Sequence, residues 1–169
     1  MESATGETRV AATPDTVKKF LSLGCTVAVE RGAGLAAGFV DVAFNTIGAE
    51  LVDPGDPQVW SQVDAVLCVQ SPSADALARM RSGALLVGLL APYANSSLAA
   101  TLHSAGLSAM ALELLPRISR AQSADALSSQ ANIAGYKAVL LSAAALDRYF
   151  PMLMTAAGTV QPARGVVLG

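Results

Sequence analysis

The chain has 169 residues, 53% of them hydrophobic but only 5% aromatic, with a formal net charge of −2. That length fits one domain with a sizeable core, and the scattered basic residues exclude nucleic acid and an anionic membrane surface as partners. Cys25 and Cys68 share no C-x-x-C spacing and His103 stands alone, which excludes a metal site and points to a reducing compartment.

The opening "MESATGETRV" is polar and lacks the apolar core of a secretory signal. "TPDTVKKFLSLG" predicts a helix with Thr13 as N-cap and Pro14 at the first helical position. Its buried side carries Val17, Phe20 and Leu21, and Gly24 ends it. "CTVAVE" follows as a strand, then "FVDVAFNTIG" as a helix leading through Gly48 into the strand "AELV". The Pro- and Gly-rich loop "VDPGDPQVW" enters the strand "DAVLCVQ". "SADALARMRSG" feeds "ALLVGLL", and "SSLAATLHSAG" feeds "LSAMALE". The apolar run at 131–146 contains Asn132 and Lys137 and is too short to span a bilayer. "ARGVVLG" closes the chain as an apolar strand ending on glycine.

Four helix–glycine–strand passages read as successive crossovers. They predict an α/β fold: an open, mostly parallel sheet with helices on both faces, in a flavodoxin- or Rossmann-like three-layer arrangement. Both ends read as truncated. Residues 1–130 are expected to form the first α/β domain, and 131–169 a long linking helix plus the first strand of an absent dinucleotide-binding domain.

In such sheets ligands bind at the carboxyl ends of strands. "PRISRAQSADALSSQ", residues 116–130, follows the last predicted sheet strand and is densely polar, whereas residues 82–112 contain no Lys, Arg, Asp or Glu. Ser119 and Gln122 have the spacing of a capping box opening the helix that contains Asp125. A cap leaves unexplained both Arg117 and the run Gln122, Asp125, Ser128 and Ser129 at spacings of three and four. "GAGLAAG" matches a dinucleotide fingerprint at Gly32, Gly34 and Ala37, with Asp53 about twenty positions on. The same glycines also suit a tight strand-to-helix turn. His103 fits a helix C-terminus, and Cys68 a small buried hydrophobe.

"ETRVAATPDTVKKFLSLGCTVAVERGAGLAAGF", "LLAPYANSSL", "ALELLPRISRAQSADALSSQANIAGYKAVLL" and "FPMLMTAAGTVQPARGVVLG" together resemble the NAD-binding α subunit of proton-translocating NAD(P) transhydrogenase. The wider superfamily includes alanine dehydrogenase. The resemblance implies reversible hydride transfer between NAD(H) and NADP(H), coupled to proton translocation by a membrane partner. Residues 1–130 would then be the first domain of that subunit, on the NAD side. NADP(H) would sit on a partner domain, and the NADP-binding and membrane domains (or β subunit) would be the partners. It also implies a homodimer, peripheral on the cytoplasmic face of the bacterial inner membrane, with no span of its own. The family's signature loop falls on Arg117, Gln122 and Asp125 as the hydride-transfer residues. Arg117 would donate to a carboxamide oxygen, Asp125 and Ser128 would accept from its NH2, and Gln122 would bond the opposing ribose. On this likeness "GAGLAAG" is a structural turn, and the isolated chain is expected to be inactive and to bind NAD weakly.

Some positions depart from the pattern. Cys68 stands where many relatives carry Lys, and Gln161 and Gly165 occupy places usually apolar or Pro. An alanine-type dehydrogenase would use a His and a Lys where this sequence has Leu89 and Cys68, leaving Arg9 able only to bind a carboxylate. A non-catalytic scaffold or dimerisation fragment is the other alternative.

Overall fold

The computed structural model describes residues 5–168; the first four residues of the polar N-terminal stretch and the closing Gly169 lie outside the described residues. The chain divides into two compact units, residues 1–124 and 125–169.

The first unit opens with α1 (Pro14–Ser22). Thr13 caps it by accepting from the Thr16 N–H, and Pro14 supplies the preset φ of a first helical residue. β1 (Ala28–Glu30) pairs in parallel with β2 (Glu50–Val52), and α2 (Asp41–Thr46) crosses between them. Val17, Phe44 and Ala49 form the core beneath this pair.

The second half of the unit begins with the single turn α3 (Pro57–Trp60), inside the loop expected to be irregular. β3 (Ala65–Gln70), β4 (Leu85–Leu89) and β5 (Ser108–Ala111) then form a parallel sheet in that order. Two crossover helices connect them: α4 (Ala74–Leu77), capped by Ser73, and α5 (Leu98–Ser104). Leu77, Met80, Ala84, Leu86, Leu90 and Leu98 make their common core, with Val66 and Cys68 against it. The opposite side of the edge strands is open, with Leu67 41% and Met110 51% exposed. The α/β parallel architecture is thus as expected, but the sheet comes in two pieces, β1-β2 and β3-β4-β5.

At Gly88 an added Cβ would lie 2.6 Å from both the carbonyl oxygen and Sγ of Cys68. β4 therefore approaches β3 where only glycine fits, and Cys68 fills that contact as a small packed side chain.

The second unit contains α6 (Ala126–Ala145) and an antiparallel hairpin of β6 (Leu153–Thr155) and β7 (Gly158–Val160). The hairpin is unexpected from the sequence, because it lacks a clear alternation of apolar and polar positions. Residues 163–168, the described part of "ARGVVLG", expected as a strand, carry no ladder. Their one backbone hydrogen bond among the described residues runs from the Ala163 N–H to the Phe150 carbonyl at 3.0 Å, which is a single contact and not a strand pairing. None of the helices in the described residues is long and apolar enough to cross a membrane.

Candidate functional site

The carboxyl ends of the strands, where a parallel sheet presents its loops, carry three separate polar clusters. At the ends of β1 and β2, Glu30 Oε1 accepts from the Gly55 N–H at 2.8 Å and the Trp60 Nε1–H at 3.2 Å. Arg31 pairs with Asp53 at 3.4 Å. The Gly32 N–H donates to Asp41 Oδ1 at 2.8 Å, so this amide is engaged inside the chain. A Cβ at Gly34 would lie 2.7 Å from the Phe39 carbonyl oxygen. The motif continues into the short 3-10 turn Leu35–Ala37, which Gly38 closes at φ 85°. Both features suit a packed turn: the glycines meet neighbours from their own fold.

At the end of β3, Gln70 Nε2 donates to Glu7 Oε2 at 2.7 Å across 63 residues of sequence. Arg9 grips the same carboxylate through Nε at 2.7 Å, Nη2 at 2.6 Å and its backbone N–H at 2.9 Å. The Glu7 side chain is only 4% exposed. The Arg9 guanidinium holds this carboxyl well below the usual carboxylate range, against the opposing effect of burial and with help from Gln70. Arg9, the residue that an alanine-type dehydrogenase would turn toward its substrate, is here paired with Glu7.

At the ends of β4 and β5, Glu113 Oε1 accepts from the Ala91 N–H. Ala91 has φ 49°, a left-handed conformation that costs a residue with a Cβ about 1–2 kcal/mol. The predicted polar stretch follows directly. Its first part is the 3-10 turn Ser119–Ala124, and the long helix starts only at Ala126. Its N-cap is Asp125, not Ser119. Ser128 N–H donates to Asp125 Oδ1 at 3.0 Å, and Ser128 Oγ–H to Oδ2 at 2.6 Å. A carboxylate one residue before a helix satisfies an orphan amide more directly than a serine seven positions before it.

The four singled-out residues therefore fall into two groups. Arg117 and Gln122 are exposed in the first unit, and their side chains make no hydrogen bond or ion pair among the described residues. Asp125 and Ser128 belong to the second unit and are bonded to each other. One continuous helical face carrying Gln122 and Asp125 does not form, because the 3-10 turn ends at Ala124. His103 lies exposed in the last turn of α5, as its helix-end reading expects. Sequence reasoning gave Glu113 no role of its own. The available signal was its place as the first charged residue after the uncharged run 82–112.

Residues 1–134 match the family model of "Alanine dehydrogenase/PNT, N-terminal domain". An NAD(P) transhydrogenase subunit alpha chain of Rhodospirillum rubrum is 46% identical over 173 residues, covering 99% of this chain and 45% of the relative. Alanine dehydrogenase of Bacillus subtilis is 34% identical over 148 residues, covering 87% of this chain and 38% of the relative. The crystal structure of transhydrogenase from Sinorhizobium meliloti superposes with a TM-score of 0.87 at 46% identity, covering 96% of this chain and 48% of that one. The chain thus spans about half the length of these relatives or less. This chain belongs to the alanine dehydrogenase/PNT N-terminal domain family, and its likeness within that family is greater to these transhydrogenases than to this alanine dehydrogenase.

Proposed function

We propose that this chain is the NAD-side component of a proton-translocating NAD(P) transhydrogenase, in which hydride passes reversibly between NAD(H) and NADP(H). The observation that carries this reading is the loop after β5: Arg117 and Gln122 stand exposed and uncommitted at the carboxyl end of a parallel sheet. That donor set fits a nicotinamide nucleotide, which offers a carboxamide and ribose hydroxyls. When bound, the nicotinamide ring supplies the hydride-carrying carbon.

The chain's own part is orientation. Arg117 donates to the carboxamide oxygen, and Gln122 bonds the ribose of the opposing NADP(H). Asp125 and Ser128, bonded to each other at the start of α6, contribute acceptors for the carboxamide NH2. Hydride transfer between two rings needs no side-chain nucleophile. It needs both rings held in register with water kept away.

In this reading residues 131–169 lead toward an NAD-binding domain. NADP(H) is held by a partner domain, and proton translocation belongs to a membrane partner (a β subunit) that keeps this component at the cytoplasmic face of the inner membrane. The same reading makes the component a homodimer.

The test is Gln122→Asn in the assembled enzyme, followed by stopped-flow hydride transfer. The expected result is a fall in rate on the order of 10²-fold with NADH affinity near normal, since about 1 Å of misplacement suffices for such a loss. An unchanged rate would remove Gln122 from the reacting cleft.

A further inference from the structure

Two costly features adjoin at the carboxyl edge of the three-stranded sheet. Ala91 has φ 49°, and Glu113 Oε2 is buried with no hydrogen-bond partner among the described residues. Ala91 also precedes Pro92, and a proline pushes the residue before it toward extended conformations, so its positive φ is opposed twice. Strained backbone of this kind persists where the surroundings over-determine it, and it clusters at functional sites.

What over-determines it here is legible. Glu113 Oε1 accepts from the Ala91 N–H, while the Ala91 carbonyl accepts from the N–H groups of Ala94 and Asn95, both at 2.9 Å. This turn carries Tyr93, 90% exposed. Glu113 itself lies in the 3-10 turn Leu112–Leu114, and only Leu114, Leu115 and Pro116 separate it from Arg117. Its backbone thus roots one loop while its side chain fixes another.

We propose that Glu113 is a positioning residue: its carboxylate braces the turn after β4 against the root of the loop carrying Arg117 and Gln122, so that both present one fixed edge to the nicotinamide nucleotide. This rests on the functional reading above. Without the brace Ala91 relaxes to negative φ and the two loops lose their common register. The binding groups remain, so alignment suffers more than affinity.

The experiment uses the assembled transhydrogenase carrying Glu113→Ala, Glu113→Gln, or Glu113→Ala with Ala91→Gly. Glu113→Ala is expected to slow hydride transfer by about tenfold or more with the NADH KM within about twofold. Glu113→Gln keeps an acceptor for the Ala91 N–H and is expected to stay within about threefold of the parent rate. Glycine adopts positive φ freely, so adding Ala91→Gly is expected to recover most of the rate lost in Glu113→Ala. A purely stabilising role would give neither recovery nor a split between kcat and KM. A Glu113→Ala rate within about twofold of the parent, or a double variant as slow as Glu113→Ala, overturns the proposal. Hydrogen exchange at the Ala91 amide of the chain itself separates the two claims. Exchange about tenfold faster in Glu113→Ala supports the brace, and unchanged exchange overturns it. Faster exchange in an assembly whose parent transfers no hydride would uphold the brace and overturn the functional reading.

Discussion

In the first unit Val17, Phe44, Leu77, Leu86 and Leu90 are all but fully enclosed, whereas no described side chain from Asp125 onward is buried. The contrast does not come from composition. α6 is rich in apolar residues, yet Ile133 is 67% exposed, Tyr136 69%, Val139 58% and Leu141 58%. These positions fall on several sides of the helix, and a helix apolar all round is normally covered. The first unit therefore encloses a core of its own, while the second displays the kind of surface that proteins bring against another surface.

The strongest way to break this comparison is to cut into each unit separately. Phe44→Ala removes a fully buried ring and is expected to cost about 3–5 kcal/mol. Ile133→Ala in the same chain is expected to change stability by no more than about 0.5 kcal/mol. Urea unfolding of both variants measures the difference. A loss at Ile133 as large as that at Phe44 would show that α6 is anchored in the chain itself.

A smaller effect sharpens the boundary between the units. Asp125→Ala removes both bonds to Ser128 at the start of α6, and the expected cost is about 1 kcal/mol with fraying of the first turn. Circular dichroism and thermal melting follow this directly. Gln122→Ala, three residues earlier and uncommitted, is expected to leave the melting curve in place. A matching loss at Gln122 would mean that the 3-10 turn belongs to the cap.

The smallest effect concerns acid. The Arg9 guanidinium holds the folded Glu7 carboxyl below its ordinary range, and the unfolded chain restores the ordinary value. The unfolded chain thus takes up the proton first. The stability from this cluster is fully present above the ordinary carboxylate range and is lost as pH falls toward the folded pKa. Glu7→Gln is expected to flatten the acid side of the stability–pH curve and leave its neutral side little changed in slope. Denaturant midpoints at stepped pH test it, and an equally steep acid limb in the variant would assign that limb to other carboxylates.

The sequence by itself located the pieces whose signals are local. Thr13 followed by Pro14 marked the start of α1, and the apolar runs around Leu67 and Leu86 marked β3 and β4. It also marked the loop after β5, since Arg117, Gln122 and Asp125 stand out against an uncharged run. Such signals survive in any fold because they depend on neighbours a few residues away.

Tertiary structure alone decided how the strands divide into two sheets, and that "SADALARMRSG" keeps one α-helical turn, Ala74–Leu77. It alone joined Glu7 to Gln70 across 63 residues and Glu113 to Ala91 across 22. The physical reason is common to these cases. A hydrogen bond between distant segments, or the choice of which strands pair, leaves no periodic trace in the residues that make it.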